Sequence, residues 1–235
     1  MASDDRKTGG DRTTGDEDGL LGQVRRKLID TKRKWAAEGR GLSGRTGPRP
    51  EAERLPAGQR LVTNFPVLDL GIQPEIRPGD WELTVAGAVE NPVTLRWADF
   101  QALPQVRMRS DIHCVTTWSR YDNDWDGVSA FALMDLVQPK PEARFVLLHS
   151  YDGYTTNLDL DGFADDDVLL AHAWQGEPLT REHGGPVRLV VPKRYFWKSA
   201  KWIRRIEFSE TDQPGFWEVR GYHNYADPFE EERYS

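Results

Sequence analysis

The stretch "SDIHCVTTWS", residues 110–119, holds the chain's one cysteine, Cys114. A packing cysteine normally sits among apolar neighbours, whereas Cys114 follows His113 in a largely polar run. A disulfide within the chain would need a second cysteine. A lone thiol leaves three chemistries. A structural zinc site takes four ligands, mostly Cys and His at short spacing. One Cys and five scattered His, at 113, 149, 172, 183 and 223, do not form that pattern. A cysteine hydrolase needs a histidine base close to its thiol in space, and histidines far along the chain support that only weakly. The third chemistry is a soft metal held by one protein thiolate, with its other ligands supplied by a cofactor. It requires an anion-binding apparatus elsewhere in the chain.

Residues 181–202, "REHGGPVRLVVPKRYFWKSAKW", are a candidate for that apparatus. They contain Arg181, His183, Arg188, Lys193, Arg194, Lys198, Ser199 and Lys201. Gly184-Gly185-Pro186 allows backbone to approach a ligand, and "VRLVV" reads as a rigid strand beneath it. Lys198, Ser199 and Lys201 can offer ammonium, hydroxyl and backbone N–H donors to a phosphate. The plainer reading is a hairpin with solvated charges. The glycine pair, the strand and the Lys-Ser-x-Lys spacing coincide here, which puts a binding loop on an equal footing with that hairpin.

The elements that must position these groups can be read from periodicity. "WELTVAG", residues 81–87, alternates Trp81, Leu83 and Val85 with polar or small residues, as a half-buried strand does, and "ENP" ends it in a turn. "TLRWADFQAL" predicts a short helix capped at Thr94 and ended by Pro104, and "SAFALMDLV" another capped by Ser129. "RFVLLHS" and "VRLVVP" read as buried strands. "KWIRRIEFSE" reads as a strand with Trp202, Arg204, Ile206 and Phe208 on one side. Few, short helices and frequent Gly/Pro turns give an α+β class without a βαβ rhythm.

Residues 1–53 are expected to be a polar tail and linker, and 54–235 the folded domain. The first stretch is too poor in apolar residues to offset the entropy of ordering. Leu20, Leu21, Val24, Leu28, Ile29 and Trp35 have the spacing of a short basic amphipathic helix. A net charge of −7 argues against a general nucleic-acid binder, which needs surplus Lys and Arg. No apolar run approaches the ~20 residues of a membrane span. Arg25-Arg26 suggests twin-arginine export, but Lys27, Asp30, Lys32, Arg33 and Lys34 occupy the place of its apolar region. A cytoplasmic location is expected.

Taken together, "DIHCVTTWS", "GYTTNLDL", "HGGPVRLVVPKRYFWKSAKWIRRIEF" and "WEVRGYHNYADPFEEERY" resemble the sulfite oxidase superfamily of molybdopterin-binding oxidoreductases. The resemblance runs over about residues 60–235, with the motifs in the family's order. It is to the short, haem-free bacterial members, related to the methionine sulfoxide reductase catalytic subunit. It implies an α+β fold with a β-rich mixed sheet, barrel-like, with short helices, around a molybdenum-molybdopterin cofactor. Cys114 matches the cysteine whose thiolate ligates molybdenum, the other ligands being two dithiolene sulfurs and oxo groups. His183 and Arg188 match pterin contacts, and Ser199, Ala200 and Lys201 the phosphate-binding segment. Asn64, in "TNFPVL", and Ser150 or its neighbour His149 match further cofactor contacts. His113 is a candidate for a hydrogen bond near the metal or for a purely structural role.

The activity this implies is two-electron oxygen-atom transfer on a small substrate, either S-oxide or N-oxide reduction or a sulfite-type oxidation. One cysteine gives no C-x-x-C-H haem site, so a separate electron-transfer partner is expected. Trp118, Tyr121 and Trp125 are candidates for the walls of a substrate funnel. Thr117 and Phe196 stand where relatives commonly have glycine; Thr117 is expected to narrow the path to the metal and Phe196 to alter a turn. Arg109 and Arg120 flank Cys114 without matching the substrate-binding arginines of the sulfite oxidases. Two readings stay open beside the enzyme: a non-catalytic molybdopterin-binding or scaffold module, and a cysteine hydrolase. The C-terminal "GYHNYADPFEEERY" is either a latch on the domain or a contact surface.

Overall fold

Trp81, Leu83 and Val85 are all buried in the computed structural model, which describes residues 50–235, and the strand they predict is Glu82–Gly87 (β2). The expected N-terminal tail, with its amphipathic segment, lies outside the described residues apart from Pro50–Glu53. Strand β1 is Arg60–Leu61. After β2 the chain forms Val93–Arg96 (β3), Gln105–Cys114 (β4), Trp118–Ser129 (β5), Phe145–Ser150 (β6) and Thr155–Asp159 (β7). Then come Leu169–Trp174 (β8), Glu177–Pro178 (β9), Arg188–Val190 (β10) and Ile203–Ser209 (β11). The helices are short: Trp97–Ala102 (α1), Ala130–Val137 (α2) and Leu160–Phe163 (α3).

Two mixed sheets result. One follows the order β1-β5-β8-β10, with β4 also on β5 and β9 also on β8; the other follows β3-β2-β11-β6-β7. Pairings β1–β5 and β2–β11 are parallel and the rest antiparallel. The α+β, strand-rich expectation holds, but neither sheet closes into a barrel. The main core joins inward residues of the second sheet to α2, with Trp81, Leu133, Leu148 and Phe208 fully or nearly fully buried. Trp81 keeps its indole N–H satisfied by the Ile203 carbonyl at 3.0 Å, so its large ring is buried without an unpaired donor.

Local chemistry explains where the reading holds and where it slips. Ser129 caps α2 as expected, its hydroxyl accepting the Ala132 N–H at 3.2 Å. Helix α1 starts later than Thr94, which lies in β3 opposite Thr84. Asp99 supplies the cap instead, accepting the Arg96 N–H at 3.0 Å. A bulge between Ile203 and Arg205 breaks the alternation of β11. Arg204 is therefore exposed, while Ile203, Ile206 and Phe208 are buried.

Candidate functional site

Cys114 is the last residue of β4, immediately before the tip of the β4–β5 hairpin. The tip closes by a Thr117 N–H bond to the Cys114 carbonyl at 3.0 Å, with Thr117 at φ 70°. Three further bonds pin it. Gln59 Nε2 donates to the Cys114 carbonyl at 3.0 Å, Arg233 Nη1 to the Val115 carbonyl at 2.7 Å, and the Arg60 N–H to the Thr117 carbonyl at 3.0 Å. The C-terminal segment is thus a latch on the hairpin that carries the cysteine. Sγ is buried and lies 3.1 Å from Thr116 Oγ1. Burial pushes the thiol up, against hydrogen bonds from Thr116 and Val115 and the positive charge of Arg233.

Successive residues of a strand point to opposite faces. Cys114 therefore faces a cavity of about 270 Å³, whereas His113 faces away. His113 bonds Ser119 through Nδ1 at 2.8 Å and lies edge-on to Phe229, contacts that suit the structural role. The same alternation in β6 turns Ser150 into the cavity and His149 toward Glu207 at 3.7 Å. His183, Arg188, Ser199, Ala200 and Lys201 also line the cavity. Seven of the nine expected site residues therefore meet in one place. The two that do not are His113 and Asn64. Asn64 is exposed, and Phe65 after it supplies the cavity wall.

The basic loop is built differently from the expected cluster. Arg188 is buried, and it donates to the carbonyls of His183 and Ser199, both at 2.9 Å. Burial alone pulls its guanidinium down to about 9, so it stays charged at neutral pH. Gly184, at φ 103°, brings backbone so close that a Cβ there would lie 2.9 Å from Lys201 Cβ and 3.1 Å from Arg188 Cβ. Lys201 Nζ donates to the Glu182 carbonyl at 2.9 Å and lies 3.8 Å from Asp69. Burial and the neighbouring Arg188 charge pull it down to about 8. Lys198 turns the other way, into a buried ion pair with Glu218, and Lys193 pairs with Asp165 at 2.7 Å. Of the cations counted in this loop, Arg188 and Lys201 reach the cavity.

His183 staples the wall. A carbonyl can only accept, so Nε2 carries the proton and donates to the Phe65 carbonyl at 3.1 Å, leaving Nδ1 to accept from Thr180 Oγ1 at 3.0 Å. Its ring stacks on Phe65 with centroids 4.1 Å apart. Of the three funnel candidates, Trp118 lines the cavity. Tyr121 lies under the Arg54 guanidinium and Trp125 is core, its indole N–H bonded to Ser110. Arg109 pairs with Asp124 at 2.6 Å and Arg120 lies over Trp174, so neither faces the thiol.

Residues 70–217 match the family described as the oxidoreductase molybdopterin binding domain. The chain belongs to this family. It is 46% identical over 193 residues to the uncharacterized oxidoreductase YuiH of Bacillus subtilis, covering 82% of this chain and 98% of YuiH. It is 30% identical over 162 residues to the protein-methionine-sulfoxide reductase catalytic subunit MsrP of Campylobacter jejuni, covering 59% of this chain and 52% of MsrP. The chain thus spans nearly all of YuiH but about half of MsrP. The fold is that of the sulfane dehydrogenase SoxCD from Paracoccus pantotrophus, with a TM-score of 0.55 at 23% identity over 59% of this chain and 40% of that one. These matches bear out the sulfite oxidase superfamily.

The cofactor that goes with this molybdopterin-binding family is molybdenum-molybdopterin, and the cavity's donors fit it. Among the described residues, no carboxylate forms an ion pair with Arg188, and the buried Ser150 Oγ has no hydrogen-bond partner. A buried guanidinium without a counter-ion and an orphan hydroxyl are both costly unless a ligand satisfies them. The cofactor would complete both, its phosphate at Arg188 and Lys201 and its pterin at Ser150, with the thiol of Cys114 in the same cavity. The sequence reading missed Asp152, Trp197, Trp217 and Tyr222, which also line it. The aromatics of "WEVRGYHNY" were a visible signal, but their return to the hairpin was not.

Proposed function

We propose that the chain is an enzyme that uses molybdenum-molybdopterin for two-electron oxygen-atom transfer on a small substrate, either reduction of an S-oxide or N-oxide or a sulfite-type oxidation. The observation that carries this reading is that the Cys114 thiol and the Arg188–Lys201 cation pair face one cavity. In it, Cys114 supplies the protein's thiolate ligand. Arg188, Ser199, the Ala200 backbone and Lys201 hold the anionic end of the cofactor, and His183 and Ser150 border the pterin. The bound group supplies a metal that changes by two electrons as one oxygen atom is passed. The protein's part is to bind and orient that group, to narrow access through Trp118, Phe196 and Trp217, and to exclude bulk water.

Reducing an oxide consumes two electrons and two protons and releases water, and a sulfite-type oxidation takes up water and releases two electrons and two protons; in this reading a separate partner supplies or accepts the electrons. The name of MsrP, a catalytic subunit, supports that arrangement. No helix among the described residues is long and apolar enough to cross a membrane. A cytoplasmic location belongs to the same proposal and rests on the charges that follow Arg25-Arg26.

The test is metal and pterin analysis of protein from a host that makes molybdopterin, beside Cys114→Ala, followed by turnover of S- and N-oxides with an artificial electron donor. Near-stoichiometric molybdenum with turnover is expected, with turnover lost and pterin retained in Cys114→Ala. Full cofactor without turnover of any oxide or of sulfite would favour the non-catalytic binding module, which Phe196 at 4.3 Å from the Arg188 guanidinium also suits. Absence of both metal and pterin from folded protein would remove the reading.

A further inference from the structure

We propose that Thr116 is a positioning residue for the Cys114 thiolate, its hydroxyl donating to Sγ and setting how strongly that sulfur donates to the metal. The inference rests on the reading of Cys114 as a metal ligand. Oγ1 lies 3.1 Å from Sγ, and Thr116, not Thr117, is the threonine that lines the cavity. A thiol could donate to the hydroxyl, but a thiolate can only accept, so in the ligand form the hydroxyl proton must point at the sulfur.

The hydroxyl is held there by the turn. Gln59, Arg60 and Arg233 pin the carbonyls of residues 114, 115 and 117, which fixes the backbone on both sides of Thr116. Donors to a metal-bound thiolate withdraw charge from the sulfur and raise the potential of the couple. Removing one makes the sulfur a stronger donor, stabilises the oxidised metal and lowers the potential.

The experiment compares Thr116→Val and Thr116→Ser in the cofactor-loaded protein. Val keeps the branched shape without the hydroxyl, and Ser keeps the hydroxyl. Thr116 is exposed, so neither should disturb folding. Metal content, the sulfur-to-metal absorption band and the midpoint potential are read. Metal content should stay constant. Thr116→Val should shift the band and move the one-electron equilibrium of the metal couple about tenfold toward the oxidised side, about 59 mV. Thr116→Ser should match the parent. An unshifted potential and band in Thr116→Val, or the same shift in Thr116→Ser, would overturn the proposal, the second outcome making the effect one of packing. Thr116→Ala gives the same comparison if Val loses metal, and metal loss in both would also overturn it. A Cys114→Ser protein that keeps the parent band and potential would instead sink the ligand reading on which the proposal stands.

Discussion

Lys198 and Glu218 form an ion pair at 2.7 Å with side chains 0% and 2% exposed. Lys198 also donates to the carbonyl and the side-chain oxygen of Asn157, both at 2.9 Å, while Glu218 accepts from Thr156 Oγ1 and Trp197 Nε1. The pair ties the basic loop to the C-terminal segment beneath Trp197 and Trp217, two residues of the cavity wall. Removing one partner leaves an uncompensated buried charge. Lys198→Met is therefore expected to lower unfolding free energy by about 3–5 kcal/mol. The double variant Lys198→Met/Glu218→Leu should recover most of that loss. Urea denaturation of the two variants decides it.

Thr117 holds a left-handed backbone, φ 70°, at the hairpin tip. A β-branched residue there is strained by roughly 1–2 kcal/mol. Glycine removes the strain but adds freedom to the unfolded chain. Thr117→Gly should raise stability by about 0.5–1 kcal/mol. It should leave cofactor content unchanged, because Thr117 is exposed and outside the cavity lining. A rise in Tm at equal metal content is the expected result.

These cases show what the sequence carried. Local patterns were legible: the alternation of Trp81, Leu83 and Val85, the Ser129 cap, and the apolar run of β10. The site was legible where motif and strand alternation agree, as for Cys114 and Ser150, and from the motif alone for Arg188 and Lys201. The long hairpin that carries Cys114 was missed because much of β4 is exposed and its polar residues give no clean period. Lys198 looked like part of a phosphate cradle because its partner lies 20 residues later, and no local pattern shows that a lysine will be buried against a distant glutamate. Thr117 looked like the obstacle in the path, yet the turn geometry turns it outward and places Thr116 at the cavity. Trp217 and Tyr222 reach the site only through the C-terminal latch, a long-range contact that composition cannot reveal.

Asp165, Asp166 and Asp167 gather around Lys193 at 2.7, 3.8 and 3.6 Å. Burial and the neighbouring carboxylates push Asp167 up to about 7. Its folded value lies above the ~3.9 of an unfolded aspartate, so the folded state holds the proton more tightly. Stability is therefore lost as pH rises from about 4 through about 7. Asp167→Asn should raise stability at pH 8 by about 1–2 kcal/mol and by almost nothing at pH 4. Denaturation curves at the two pH values test the sign, and an equal effect at both would contradict it.

Lys201 gives a pH dependence at the proposed cofactor site itself. Burial and Arg188 lower its ammonium to about 8 in the free protein, below the ~10.4 of an unperturbed lysine. A phosphate beside Nζ would favour the charged form and raise that value again. Below pH 8 the ammonium is already charged and binding takes up little proton. Above it, binding must first protonate the lysine, so affinity falls by up to about tenfold per pH unit until the bound-state value is passed. Cofactor retention, followed as pterin fluorescence released to solution, should hold from pH 6 to 8 and decline from 8 to 9. Lys201→Gln should bind more weakly at pH 7, by about tenfold for the loss of one charge-assisted hydrogen bond, and its retention should fall less between pH 8 and 9 than the parent's, the remaining decline being that of Arg188. A parent profile no steeper than the variant's would show that Nζ does not meet the anion.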